Sequence, residues 1–271
     1  MIDYDDYDEP PEEQPRDPAT DVAVARLRKF FAESPARLFY STQIVTALER
    51  EHFHWITGRA LLELANNKEI QRSSVTIVGS PVNFYAHPKH RYWQRERNEL
   101  VELLTQIFNP DFAQAIGRHG ELMFDAALGR AGFRAKGQNV NAFNGKIWQE
   151  SNHNLDRIYV RDGVAYGAEI KNTQNYIEKE ELEIKIRLCK HLGVIPLFIM
   201  RFAPKSYMFQ IIQSGGFGLL FEEQMYPLGH TQLLRVARQT LGLKIGSPKD
   251  VKEGDIQRFV KWHEKKRPAS T

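Results

Sequence analysis

Apolar residues recur at helical spacing near the start of the chain: Val24, Leu27, Phe30 and Phe31 predict a helix over Val22–Glu33, with Asp21 as its cap. Ser41 or Thr42 caps a second helix holding Ile44, Val45 and Leu48, and Thr57 caps a third, Gly58–Asn66, with Leu61, Leu62 and Leu64. Two strand-like runs follow, Glu69–Val78 and Val82–Ala86, around a Gly79-Ser80-Pro81 turn. A helix over Asn98–Phe108 is stopped by Asn109-Pro110. From Ile116 the pattern becomes α/β. A helix over Gly117–Arg130, with Leu122, Ala126, Ala127 and Leu128 inward and Gly132 as its stop, precedes a first strand somewhere in Phe133–Trp148. Two more strands flank Asp162-Gly163, and a helix over Glu178–Leu192 ends at Gly193. Val194–Met200 is apolar on both faces, as a strand in a sheet interior must be. A helix over Pro204–Gln213, a strand over Phe217–Phe221 and helices over His230–Leu241 and Asp255–Lys265 complete the pattern; no internal repeat is evident.

One segment carries chemistry. Asp-Gly between apolar-rich runs is a strong hairpin signal, because both central residues of the tight turn need positive φ. With Asp162 and Gly163 as the loop, Arg161 pairs with Val164, which puts Asp156 opposite Glu169 and Asn154 opposite Lys171. Alternation places Asp156, Glu169 and Lys171 on one face and Ile170 on the other. Like charges directly opposed on a sheet are destabilising. A cation between the two carboxylates removes that cost, so the hairpin is a candidate metal site with a lysine beside it.

Charge sharpens the picture. The net charge of +3 conceals eight acids and one base in residues 1–18; the rest holds 36 basic and 26 acidic residues, a net of +10. The Pro-containing acidic tail is expected to be disordered, either as a solubilising segment or as a mimic of nucleic acid. The body has the charge of something that meets phosphate. His87-Pro88-Lys89-His90-Arg91-Tyr92-Trp93-Gln94-Arg95-Glu96-Arg97 interleaves bases with aromatic rings, as a nucleic-acid backbone contact or as a linker whose Tyr92 and Trp93 pack between domains. The chain ends basic, at Lys265-Lys266-Arg267. No apolar run is long enough to cross a bilayer, no secretory signal is evident, and a single cysteine, Cys189, excludes an internal disulfide, so a cytoplasmic address is expected. Cys189 reads as a packed helix thiol. His119, His153 and Cys189 lack zinc-ligand spacing, and Gly215-Gly216-Phe217-Gly218 lacks the lysine and serine of a phosphate loop, so neither zinc nor a nucleotide cofactor is expected.

Three short helices followed by a two-stranded ribbon resemble a winged helix-turn-helix domain. The resemblance implies DNA contacts from the third helix and wing, with Arg59, Asn66, Asn67, Lys68 and Arg72 as candidates and Lys89, Arg91 and Arg95 beyond them. Solvated polar surface is the alternative for each. The segmentation is then an acidic tail (1–18), a winged-helix domain (19–90), a basic, aromatic linker with a helix (91–115), an α/β core (116–228) and a basic helical extension (229–271).

Within that core the order helix, strand, hairpin, helix, strand, with Asp156 and Glu169-Ile170-Lys171, resembles the PD-(D/E)XK nuclease superfamily, whose core runs αβββαβ with a mixed central sheet. Asp156 matches the first acid, with Leu155 in place of the signature proline, Glu169 the second acid and Lys171 the lysine. Glu121 matches the extra glutamate that many members place on the preceding helix, a likeness to junction resolvases and certain restriction enzymes. The resemblance implies Mg²⁺ or Mn²⁺ held by Asp156, Glu169 and the Ile170 carbonyl, with Glu121 on a second metal or an outer water. Lys171 would orient the attacking water and stabilise the transition state. Asn154 is expected to position Lys171. Asn172 and Gln174 are expected near phosphate or water, and Lys179, Lys185, Arg187 and Lys190 as surface or backbone contacts.

The expected function is metal-dependent hydrolysis of DNA phosphodiesters by an endonuclease targeted through its winged helix, on duplex or branched DNA, with no membrane partner. A structure-selective repair or junction nuclease is the alternative within enzymes, and that version implies a homodimer. A DNA-binding regulator or assembly protein keeping the nuclease fold without turnover is the alternative outside them.

Overall fold

The computed structural model describes residues 17–266, so the acidic tail (all but its last two residues) and the terminal Arg267 lie outside the described residues. The described chain is mixed α/β, with nine helices and twelve strands, and divides into two units: residues 17–113 with Ala237–Leu243, and residues 114–236 with 244–266. No helix among the described residues is long and apolar enough to cross a membrane.

In the first unit, α1 (Pro18–Glu33) starts four residues before its expected start. The Asp17 carboxylate accepts the Ala19 N–H at 2.9 Å, and Pro18 occupies the first turn, where its missing N–H costs nothing. Asp17 and Pro18 thus belong to α1, not to the tail, and Asp21 is not the cap. β1 (Leu38–Tyr40) leads into α2 (Ser41–Leu48), whose first free N–H, that of Tyr40, is met by the Gln43 side chain at 2.9 Å rather than by Ser41 or Thr42. α3 (His54–Asn66) starts early as well, leaving Thr57 fully buried inside it instead of capping it. These helices enclose Val24, Leu27, Phe31, Ile44, Leu48, Leu61 and Leu64.

β2 (Gln71–Ile77) and β3 (Ser80–Ala86) pair antiparallel, and β1 adds to the far side of β3. Ile77 pairs with Ser80 and Thr76 with Pro81, so the turn is Val78-Gly79, not Gly79-Ser80-Pro81. Both turn residues take positive φ, +51° and +80°. Glycine tolerates this, whereas left-handed backbone costs a residue bearing a Cβ about 1–2 kcal/mol. Val78→Asn creates the favoured Asn-Gly turn and is expected to raise stability by about 1 kcal/mol, read from the urea midpoint at unchanged m-value; a lowered midpoint would refute it. α4 (Trp93–Ile107) begins five residues earlier than expected, drawing Trp93 out of the linker with Arg97 over its ring at 5.5 Å, while Tyr92 stays 77% exposed.

α5 (Pro110–Arg130) runs from the end of the first unit into the second. Asn109-Pro110 stops α4 and starts α5: the Asn109 side chain accepts the N–H groups of Asp111 and Phe112 at 3.0 and 3.2 Å. The inward stripe also differs in part from the expected one. Ile116, Phe124, Ala127 and Leu128 point inward, whereas Leu122 is 64% exposed and Ala126 is also exposed, contrary to the expected stripe.

The second unit continues with β4 (Arg134–Val140), a small hairpin of β5 (Ala142–Phe143) and β6 (Lys146–Ile147), then β7 (Leu155–Arg161) and β8 (Val164–Lys171). After these come α6 (Lys179–Leu192), β9 (Ile195–Met200), α7 (Lys205–Gln213) and β10 (Phe217–Leu220). β11 (Gln224–Met225), α8 (Thr231–Leu241), β12 (Ile245–Gly246) and α9 (Glu253–Lys266) close the described chain. The central sheet has the order β10-β9-β8-β7-β4. β4, β7 and β8 form an antiparallel meander, and β9 and β10 run parallel to β8. One face packs Phe124 and Leu128 of α5 and Phe259 of α9 against Tyr159, Tyr166 and Ile170. On the other, Leu188 and Cys189 of α6 cover Leu155 and Ile158, and α7 packs beyond them. A Cβ on Gly167 would fall 2.6–2.8 Å from Leu155, Cys189 and Val194, so glycine is what lets α6 approach the hairpin. Cys189 is packed there, and burial pushes its thiol well above its ordinary pKa.

Candidate active site

The Asp162-Gly163 loop takes φ of +52° and +75°, and the hairpin registers as its turn dictates, from Arg161↔Val164 to Arg157↔Ala168. There the ladder ends. In the next step the Asp156 carboxylate itself accepts the Ile170 N–H at 2.7 Å. The strand end is thus held by a side chain, which fixes Asp156 beside β8. Ile170 enters the core under α5 and α9, while Glu169 and Lys171 face α6.

Glu169 is 2% exposed and is gripped by two ammonium groups, Lys185 Nζ at 2.6 Å from one carboxylate oxygen and Lys171 Nζ at 3.1 Å from the other. Lys171 also meets Glu181 of α6 at 2.8 Å. Lys185 is 4% exposed and donates to the Asn154 carbonyl as well. The Asn154 main chain therefore holds Lys185, where its side chain was expected to hold Lys171. Lys185 is correspondingly not a surface contact. It occupies the inward stripe of α6 with Leu182, Leu188 and Cys189, and a lysine in such a stripe is the signal that marked it as paired.

A second charged cluster lies under α5. Arg157, with its side chain 8% exposed, contacts Glu121 and Asp125 at 3.0 Å each and donates to the Asp156 carbonyl at 2.8 Å. Asp125 also accepts the Tyr159 hydroxyl. Glu121, expected at a second metal or an outer water, is engaged by Arg157. Asp125, four residues on along the same helix face, shares that arginine. The charged partners Arg157, Asp125 and Glu181 are site residues that the sequence pattern does not single out, and Lys185, expected at the surface, is a fourth.

Burial raises Asp156 above the ordinary carboxylate range, against the pull of the Ile170 N–H, Lys185 and Lys171. Burial first and the Asp156 charge second raise Glu169 as well, opposed by both lysines. For Lys171, burial works against the ammonium, but Glu169 and Glu181 outweigh it and hold the group above its ordinary value. Five carboxyl groups (Glu121, Asp125, Asp156, Glu169 and Glu181) lie among three basic groups (Lys171, Lys185 and Arg157), an excess of two acids. Among the described residues no group of three or more His, Cys, Asp and Glu side chains is arranged to hold a metal. Two hard carboxylates still suffice for Mg²⁺, which keeps several waters and completes its shell with substrate phosphate. The two carboxylates are the oxygen type such an ion takes, but both Glu169 oxygens meet lysine ammonium groups and one Asp156 oxygen accepts the Ile170 N–H, so an ion bound there would displace a lysine from Glu169.

Asn172 is a structural hub, not a substrate contact. Its side chain donates to the Ile116 and Met225 carbonyls at 2.8 and 2.7 Å and accepts the Met225 N–H at 2.8 Å. A Cβ on Gly120 would fall 2.5 Å from it, so α5 needs glycine there. Gln174 donates to the Gln224 side chain at 2.9 Å, while its own amide oxygen is buried with no partner among the described residues.

In the first unit, Arg59 stacks over Trp55 at 4.8 Å on α3, and Asn66 and Asn67 are exposed at the helix end. Lys68, at φ +58°, follows them. Arg72 donates to Asn83 at 3.2 Å, Arg95 pairs with Glu99, and Lys89 and Arg91 are exposed. No protein-family model, curated protein or solved structure matches the chain.

Proposed function

We propose that the chain is a metal-dependent DNA endonuclease, its second unit a PD-(D/E)XK-type core and its first a winged-helix DNA-binding unit. The observation that carries this reading is the meeting of Asp156, Glu169 and Lys171 at one end of a single hairpin, with a buried and a part-buried carboxyl raised in pKa beside a lysine held charged. The element order supports it: a helix, three antiparallel strands, a helix and a parallel strand. In the first unit the order of three helices and a ribbon does the same.

Asp156 and Glu169 would hold Mg²⁺ or Mn²⁺, which when bound supplies Lewis-acid polarisation of a phosphodiester and a bound water of lowered pKa. The chain's own groups do the rest. The Ile170 N–H fixes one Asp156 oxygen, leaving the other to face a ligand. Glu181 holds the Lys171 ammonium at the mouth of the site, with the lysine side chain 28% exposed, where it can orient a water and neutralise charge on a phosphoryl oxygen. Lys185, fully inside, holds one Glu169 oxygen and opposes the burial that raises that carboxyl.

Purified protein on supercoiled plasmid is expected to nick or linearise it with Mg²⁺ or Mn²⁺ and to leave it intact in EDTA. Binding without cutting, on plasmid and on branched DNA alike, would end the enzyme reading. The engagement of both Glu169 oxygens by lysine favours the remaining alternative, a DNA-binding protein that keeps the fold without turnover.

A further inference from the structure

Residues 126–149 contain no acid, although they border the acidic cluster just described. They hold Arg130, Arg134, Lys136 and Lys146 with five side-chain amides: Gln138, Asn139, Asn141, Asn144 and Gln149. Arg130 is neutralised by Asp250 at 2.5 Å; among the described residues the other three bases form no ion pair, and all three are exposed. The strand that holds Arg134 and Lys136 is unusual for a sheet member, and Lys146 lies in β6 beyond it. β4 is an edge, and five of its seven residues are exposed.

The register aims this strand at the candidate site. Gln138 pairs with Arg157 and Val140 with Leu155, so Asn139, exposed at φ +51°, lies level with Asp156. A bulge between Ala135 and Gly137 leaves Lys136 as the unpaired residue, turned off the ladder. The β5–β6 hairpin beyond is anchored rather than loose. Asn144-Gly145 makes a tight turn at φ +50° and +78°, and the Trp148 N–H donates to the Asn141 carbonyl at 2.7 Å. The Trp148 ring is 3% exposed against His191, whose own ring nitrogen lies 2.9 Å from the Ile147 carbonyl.

We propose that β4 and the β5–β6 hairpin form a phosphate-binding track that brings the backbone of a DNA duplex to Asp156 and Glu169, an inference that rests on the nuclease reading of that site. Guanidinium, ammonium and amide groups are donors for phosphate oxygens and carry no sequence preference in that role. The absence of acids removes repulsion along the path. The bulge and the edge lysine oppose pairing with another strand, which sets aside a peptide as occupant.

The test measures binding of the full chain to a short duplex by fluorescence anisotropy in EDTA, across a salt series. Removing one cation from a phosphate lowers the slope of log K against log salt by about 0.9 for duplex DNA. Arg134→Ala/Lys136→Ala/Lys146→Ala is expected to reduce the slope by about 2–3. Lys249→Ala/Lys252→Ala/Lys261→Ala, also exposed and equal in charge, is expected to leave it unchanged. A wild-type slope in the first variant, or an equal fall in both, overturns the track. Plasmid cleavage assayed separately keeps the two readings apart. Wild type that cuts while the first variant keeps its slope sinks the track alone. Wild type that never cuts while that variant loses slope sinks the nuclease and leaves the track. Wild type that does not bind sinks both.

Discussion

Lys185→Ala is expected to destabilise the second unit by about 3–5 kcal/mol, read as a fall of roughly 10 °C in its thermal midpoint. Adding Glu169→Gln to the same chain is expected to return most of that loss. Glu169 is 2% exposed, and Lys185 is its closer ammonium, at 2.6 Å against 3.1 Å for Lys171. Removing one partner of a buried pair strands the other charge in a medium that cannot solvate it, and that desolvation is the main part of the cost. It also leaves the Asn154 carbonyl without its ammonium. A neutral glutamine in place of Glu169 has no charge to strand, so the double variant should be more stable than the single. A Lys185→Ala chain within about 1 kcal/mol of wild type, as a solvated surface lysine would give, would show that the pair does not hold the hairpin to α6. A double variant no better than the single would show that poorer packing, not stranded charge, is the cost.

How far the sequence revealed the site depended on how local each determinant is. The hairpin register was legible as far as Arg157↔Ala168 because an Asp-Gly turn and alternation act within a few residues; beyond it the expected Asp156–Glu169 and Asn154–Lys171 pairs give way to the Asp156 carboxylate on the Ile170 N–H. It brought Asp156, Glu169 and Lys171 to one place before any tertiary contact was known. Helix starts were misread for a shared reason: the groups that satisfy the first N–H donors lie outside the apolar periodicity, at Asp17-Pro18 and Asn109-Pro110, or reach back from inside the helix, as Gln43 does. In α5 the expected stripe holds at Ala127 and Leu128, while Leu122 and Ala126 are exposed and Ile116 and Phe124 take the other inward positions. The missed site residues had a different cause. Lys185 and Arg157 are charges at inward positions of a helix and a strand, and only the elements packed against them supply Glu169, Glu121 and Asp125. The edge character of β4 was likewise hidden, since Asn and Gly crowd its segment and pairing with β7 is settled by the sheet.

Asp156→Ala and Lys171→Ala are each expected to lower plasmid cleavage on the order of 10³-fold, and the two losses should separate when metal binding is read directly. Asp156 is a proposed metal ligand, so its loss should also abolish the thermal stabilisation that Mg²⁺ confers on wild type. That stabilisation is about 2.7 kcal/mol at a hundredfold excess over the dissociation constant. Lys171 touches the reacting phosphate in this scheme, so Lys171→Ala should cut poorly while still being stabilised by the ion. The pH dependence follows from the same carboxylates. Burial raises both Asp156 and Glu169, so over the interval from the ordinary carboxylate range up to their raised values the folded chain binds protons that the unfolded chain has released. Stability contributed by the pair is therefore present at acid pH and falls as pH rises through that interval. Mg²⁺ binds the deprotonated carboxylates, so its stabilising effect should grow over the interval in which protons leave. The acid limb of the cleavage profile should accordingly lie above the ordinary carboxylate range in wild type. If Asp156→Ala keeps the full Mg²⁺ shift, the metal sits elsewhere and Asp156 serves the strand end alone. If Lys171→Ala cuts like wild type, its ion pairs with Glu169 and Glu181 are structural and the proton and charge handling must be sought on Lys185.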